Sequence, residues 1–234
     1  MKFPMKPLSL FAAAAVLMAV PVLALAAPTH PDFTGIWSIA NYSAALKPAD
    51  GRPAPMTPAA KAEYDKHLAA AAKGDRGWDE TSICLPQGLP RLMVQNEPFQ
   101  IMQRPKAVYF LHQTNRLPHR AYFNEPLPTD ADPLYLGISA ARWEGATLVV
   151  ESNSFREGTY LDDKGLPHSD ALRLTERYRL GKGGKTMTIS FTIDDPKAYT
   201  HAWTAKATFV KKPASFEIPE EVCADKLRST APAR

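Results

Sequence analysis

From about residue 90 onward, hydrophobic and polar positions alternate with a period of two, the repeat of a half-buried strand. The alternation predicts strands over residues 99–103, 107–113, 119–124, 140–143, 147–152, 172–180, 186–193 and 201–211. An earlier strand-like run begins at Phe33-Thr34-Gly35-Ile36-Trp37 and extends to Tyr42. Glu144-Gly145 and Gly181-Lys182-Gly183-Gly184 supply tight links with residues free to take positive φ, and Lys164-Gly165 and Asp194-Asp195-Pro196 mark longer bends. One segment carries a helical signal. Thr57 can cap it, Pro58 suits a first helical position, Ala60, Tyr64, Leu68 and Ala71 give a mildly apolar face, and Gly74 can end it. The expected fold is mostly β: an antiparallel meander closing into a β-barrel, with one short N-terminal helix packed outside.

The first 26 residues break this pattern. Lys2 and Lys6 precede an almost wholly apolar stretch from Leu8 to Leu25, and Ala24-Leu25-Ala26 fits small-residue cleavage. A transmembrane anchor is the competing reading, but Pro21 interrupts the stretch and no basic stop follows it. The segment is read as a secretory signal peptide. Residues 27–90 then form a strand, loop and helix arm, and residues 91–234 the barrel body, with 27–234 making one domain. A periplasmic or secreted location follows, with no membrane anchor in the mature chain.

Export changes the meaning of the charge and of the cysteines. The chain has 28 Lys and Arg against 24 Asp and Glu; without the leader's two lysines, 26 basic residues face 24 acidic ones. Those basic residues are dispersed, which argues against a nucleic-acid partner. Cys84 and Cys223 are the only cysteines. In an oxidising compartment two distant lone cysteines are expected to pair, and a catalytic thiol would lack any flanking nucleophile motif.

Several segments together resemble an uncharacterised family of exported bacterial proteins. They are Phe33 to Trp37, Cys84-Leu85-Pro86-Gln87-Gly88-Leu89-Pro90-Arg91, Gly137 to Val150, His168-Ser169, Glu176-Arg177-Tyr178 and Ile193-Asp194-Asp195-Pro196. The Gly-x-Trp opening is also similar to a lipocalin first strand. The resemblance implies a lipocalin-like, calycin-type barrel and no particular reaction. Arg120, His168 and Glu176 keep the family's pattern; Gln113, His119 and His201 depart from it, so chemistry needing an acid at 113 is not expected here.

Glu176 carries the clearest chemical signal. It alternates with Leu172, Leu174 and Tyr178, so a carboxylate is expected on the inward face. A buried lone carboxylate costs several kcal/mol unless paired or protonated. It is therefore either ion-paired with an inward Arg or His, a structural role, or held with a raised pKa as a general acid or base. His119 shares a strand face with Ala121 and Phe123, and His201 with Trp203 and Phe209; single histidines of this kind are commonly core groups. Arg120 has the opposite parity to His119 and reaches the lumen only through a bulge. His168 lies in a turn that can overhang a barrel mouth. Trp37, Tyr109, Tyr178 and Trp203 fall on expected inward positions, as ordinary core or as pocket lining. No metal-binding spacing, nucleophile elbow or phosphate-cradling loop is present, so no cofactor is expected.

Two functions are consistent with these residues. The first is a small-molecule-binding barrel for an apolar or aromatic ligand. It extends to a cofactor-free acid–base enzyme (lyase, isomerase or dehydratase) with Glu176, His168, Arg120 and His119 as catalytic groups and Trp37, Tyr109, Tyr178, Trp203 and His201 lining the ligand. The second is a fully packed structural or interaction protein of the cell envelope. Ligand identity and oligomeric state are not legible.

Overall fold

Alternation becomes a wall of strands in the computed structural model, which describes residues 30–114 and 117–223. The signal peptide read over residues 1–26 lies outside them. The strands are β1 (Gly35–Ile39), β2 (Phe99–Gln103), β3 (Ala107–His112), β4 (Pro118–Phe123), β5 (Ile138–Glu144), β6 (Thr147–Asn153), β7 (Arg173–Leu180), β8 (Thr186–Asp194) and β9 (Trp203–Lys211). They hydrogen-bond in sequence order, and β1 returns to β9 to close the barrel. The β5–β6 link is a two-residue turn whose first residue, Gly145, takes φ +59°, a conformation cheap only for glycine.

The meander differs from expectation at one seam. β4 and β5 run parallel, while every other neighbouring pair is antiparallel. Closure explains it: strands around a ring can alternate in direction throughout only if their number is even, and this ring has nine. Residues 124–137 carry the chain from the end of β4 back to the opposite end of the barrel before β5 begins. The parallel ladder is short. It starts at Ala121 opposite Ser139 and ends at Phe123 opposite Ala141, whereas β5 and β6 pair from Ile138–Asn153 through to Glu144–Thr147. Pro118, His119 and Arg120 thus precede the first pair, and the β4–β5 ladder is absent there.

Inward residues form one continuous apolar cluster that includes Trp37, Phe99, Ile101, Phe110, Tyr178, Phe191 and Phe209, all buried. Their rings interlock. Phe110 lies 5.3 Å from Tyr178, and Phe99 meets Phe209 edge-on at 5.5 Å. Trp37 donates its indole N–H to the Phe33 carbonyl at 2.9 Å, so its burial leaves no donor stranded.

Helix α1 (Pro58–Ala71) is the only α-helix among the described residues. Thr57 caps it by accepting from the Ala60 amide, with Pro58 at its first turn. It packs outside the barrel and buries Ala60 and His67, whose ring stacks on Trp78 at 4.3 Å. This arm gathers at the end of the barrel where β6 ends and β7 and β9 begin: Pro48 bridges to Ala205 and Met56 to Tyr199. A buried ion cluster fastens it. Arg91, 3% exposed, donates two hydrogen bonds to Asp79 (2.9 and 3.0 Å) and one to Asp163 (2.6 Å). Asp162 beside it accepts from the amides of Leu46, Lys164 and Leu166. Cys84 and Cys223 are joined, with Cα atoms 5.7 Å apart, which ties the C-terminal tail to this arm. Among the described residues, no helix is long and apolar enough to cross a membrane.

Candidate functional site

Three titratable groups stand on the inward faces of a largely apolar wall: Glu176 on β7, His119 on β4 and His112 at the end of β3. All are buried, Glu176 completely and His119 to 2% exposure. Glu176 accepts a hydrogen bond from the Tyr178 hydroxyl at 3.1 Å, and its second oxygen has no partner among the described residues. Among the described residues no cation reaches it, so the expected ion pair with an inward Arg or His is not formed there. Burial instead pushes the carboxyl up to about 8, against the opposing effect of the Tyr178 hydrogen bond. It is therefore mostly protonated at neutral pH.

His119 takes part in a short polar chain. Its Nε2 lies 2.9 Å from the Ser139 hydroxyl, which lies 2.7 Å from that of Ser152. One face of its ring stacks on Phe110 at 4.8 Å, and Phe110 in turn stacks on Tyr178, so an aromatic ring stands between the His119 chain and the Glu176–Tyr178 pair. Burial lowers the His119 imidazole to about 3, and burial with the neighbouring His119 lowers His112 to about 3. His119 Nδ1 and His112 Nε2 have no hydrogen-bond partner among the described residues.

The open end of the β4–β5 seam leads to this chain. A cleft of about 390 Å³ lies there, lined by Leu117, Pro118, Arg120, Tyr122 and residues 134–138, with His119 and Ser139 also in its wall. Leu117 and Leu134 are unusually exposed for leucines, at 37% and 49%. Gly137 shapes the entry: it takes φ +63°, and a Cβ there would run into the Asn153 carbonyl oxygen. At the opposite end of the barrel a wider opening of about 750 Å³ is lined by Gln103, Arg104, Phe123, Arg142 and Trp143, where His30 stacks flat on Trp143 at 4.4 Å.

The four residues expected to act together do not converge. Arg120 is exposed on the outer face of β4, because that strand is regular from Pro118 to Tyr122 opposite β3 and contains no bulge to turn it inward. It nevertheless meets His119 at the cleft. His168 sits in the connection before β7, with Nε2 at 2.7 Å from the Thr159 hydroxyl and Nδ1 at 2.9 Å from the Ser169 carbonyl. Both of its ring nitrogens are thus engaged in holding loops together, and burial lowers its pKa. Glu176 is sealed in the lumen.

Of the expected ligand-lining residues, Trp37, Tyr178 and Trp203 are inward and buried as part of the packed core. Tyr109 is turned outward and half-buried, since Val108 and Phe110 take the inward positions of β3. His201 is exposed in the bend before β9, which begins only at Trp203. Ser139 and Ser152 were not singled out by alternation, although each is a polar residue at an inward position. Among the described residues, no group of three or more His, Cys, Asp or Glu side chains is placed to hold a metal ion. Compared with known proteins, the chain matches no family model and no curated protein.

Proposed function

We propose that the chain is an exported barrel that binds a small, largely apolar or aromatic molecule at the open β4–β5 seam, as a member of the exported bacterial family it resembles. The observation that carries this reading is the coincidence of three features in one place. The cleft is lined by exposed leucines, it has the volume of a small-molecule site, and its lining includes His119, whose buried Nδ1 has no partner among the described residues. The apolar lining would hold the ligand's body and the polar chain its orientation. Export to the periplasm or beyond is supported by the leader-like first 26 residues and by the Cys84–Cys223 disulfide. Intact-mass measurement of the exported protein should find a mature start near residue 27.

A second reading has its own support. The packed rings of Trp37, Phe99, Phe110, Tyr178, Phe191 and Phe209 fill the middle of the barrel as a structural scaffold would. In that case the envelope role lies in the outer surface and the seam binds nothing.

A thermal-shift screen of the purified mature protein against aromatic and terpenoid compounds separates the two. A compound at about ten times its Kd stabilises the native state by ~1.4 kcal/mol, which for a domain of this size raises Tm by ~3–5 °C. Such shifts, abolished by filling the cleft with Leu136→Trp, support the binding barrel. A panel that moves Tm nowhere overturns it.

A further inference from the structure

We propose that His119 is the polar anchor of the seam cleft, and that the cleft takes an uncharged apolar molecule bearing a hydroxyl or carbonyl oxygen that hydrogen-bonds to His119 Nδ1. This rests on the reading of the seam as a binding site and adds the chemical class of its occupant.

His119 combines two properties that seldom occur together in a core histidine. The residue is almost fully buried, yet it belongs to the lining of an open cleft. Of its two ring nitrogens only Nε2 is committed, to Ser139; Nδ1 has no partner among the described residues. A buried polar atom left unpaired costs free energy that a ligand oxygen would recover. The ring is held in place to do so, with Phe110 stacked on one face and the Ser139 hydroxyl on its far nitrogen.

The Ser139–Ser152 pair determines what that oxygen can be. A neutral imidazole has one donor and one acceptor nitrogen, and which is which depends on the partner of the other. Facing a ligand O–H, Nδ1 accepts, Nε2–H donates to Ser139, and Ser139 donates to Ser152. Facing a ligand C=O, Nδ1–H donates, Nε2 accepts from Ser139, and Ser139 accepts from Ser152. Serine hydroxyls rotate to serve either direction, so an alcohol and a ketone of one skeleton are both recognised.

The surroundings select against charge. Leu117, Pro118, Leu134, Leu136 and Ile138 present apolar surface along the cleft, so a carboxylate drawn down to His119 would lose its water beside a ring that burial keeps neutral. Arg120, the cation among the described lining residues, is exposed and outward-facing.

The test uses four probes of one size at pH 7: 2-naphthol, 2-acetylnaphthalene, naphthalene and 2-naphthoate, with dissociation constants measured by equilibrium dialysis. One well-made hydrogen bond predicts that naphthol and acetylnaphthalene bind wild type about tenfold more tightly than naphthalene. In His119→Phe the tenfold advantage of both over naphthalene, measured on the same variant, should disappear. Should His119→Phe fail to fold, the nitrogen resonances of wild-type His119 give the same answer, because 2-naphthol must shift Nδ1. Equal affinities for naphthalene and its oxygenated relatives, or an unmoved Nδ1 resonance, overturn the anchor and leave the binding site standing. Tightest binding of 2-naphthoate, lost in Arg120→Ala, overturns it in favour of an anion held at the rim. If none of the four binds, the site and its anchor fall together.

Discussion

Replacing Glu176 by Gln should stabilise the protein at neutral pH. The carboxyl is completely buried, has Tyr178 as its hydrogen-bond partner and is pushed up to about 8 by desolvation. In the unfolded chain the same group titrates near 4.5. Between these values the native state holds a proton that the unfolded state has released, so stability falls as pH rises. The contribution of Glu176 is fully present below about 4.5 and is lost as pH rises through about 8. Linkage over this window gives a loss of about 3 kcal/mol at pH 7 and ~4–5 kcal/mol at pH 8.5, as orders of magnitude. Gln carries no such proton, and its carbonyl oxygen can still accept from Tyr178. Urea titrations of both proteins at pH 4.5, 7 and 8.5, followed by tryptophan fluorescence, should therefore show nearly equal stability at the lowest pH. The variant should lead by about 3 kcal/mol at neutrality, with the gap widening above it. A loss of ~3–5 kcal/mol in Glu176→Gln would refute the reasoning, because that is the signature of a buried ion pair losing one partner. A gap that does not change with pH would refute it as well.

The buried histidines act in the opposite sense. His112, His119 and His168 have native pKa values lowered by burial, so the stability they contribute is present above the unfolded value of about 6.5 and lost as pH falls below it. Imidazole NMR signals of His112 and His119 should stay in their neutral positions from pH 8 down to pH 5; a midpoint near 6.5 for either would contradict their burial. Arg91→Met keeps the apolar stem but leaves Asp79 and Asp163 without their shared cation, and should cost ~3–5 kcal/mol in a urea titration. A cost under ~1 kcal/mol would show that water reaches this cluster. Unfolded, unreduced protein should release no free thiol. Joining residues 139 apart in sequence restricts the unfolded chain by up to about 5 kcal/mol in the loop-entropy model, so reduction should lower the urea midpoint.

Legibility in the sequence followed the strength of local patterns. β7 reads plainly because Leu172, Leu174 and Tyr178 alternate with Arg173, Arg177 and Arg179, which fixed both the strand and the inward direction of Glu176. Thr57-Pro58 announced the helix, and two lone cysteines far apart in the sequence announced their bond. β3 gave a strand without a phase. Val108, Tyr109, Phe110 and Leu111 are apolar on both faces, and period-two reasoning then cannot say that Tyr109 points outward. His201 was placed on a strand that begins two residues later, an end effect of the kind alternation does not resolve.

The parallel seam was hidden for a different reason. Residues 124–137 have no strand pattern, and their return path is dictated by closing an odd-membered ring, a property of the whole chain. The cleft arises from that seam, so it could not be found residue by residue. Arg120 was correctly given opposite parity to His119, but its meeting with His119 at the cleft depends on the missing ladder before Ala121. Ser139 and Ser152 escaped notice because a lone small hydroxyl is common in strands; only their convergence on His119 gives them meaning. The separation of His168 and Glu176 likewise depends on loops whose partners, Thr159 and Ser169, carry no spacing signal.

The most direct test of the seam as a binding site is to map where a ligand sits. Amide chemical shifts of isotope-labelled protein should be recorded with and without saturating 2-acetylnaphthalene. The account predicts the largest changes at His119, Arg120, Gly137, Ile138 and Ser139, with Phe123, Arg142 and Trp143 at the opposite mouth unmoved. Changes concentrated around Trp143, or none at saturating probe, would contradict it.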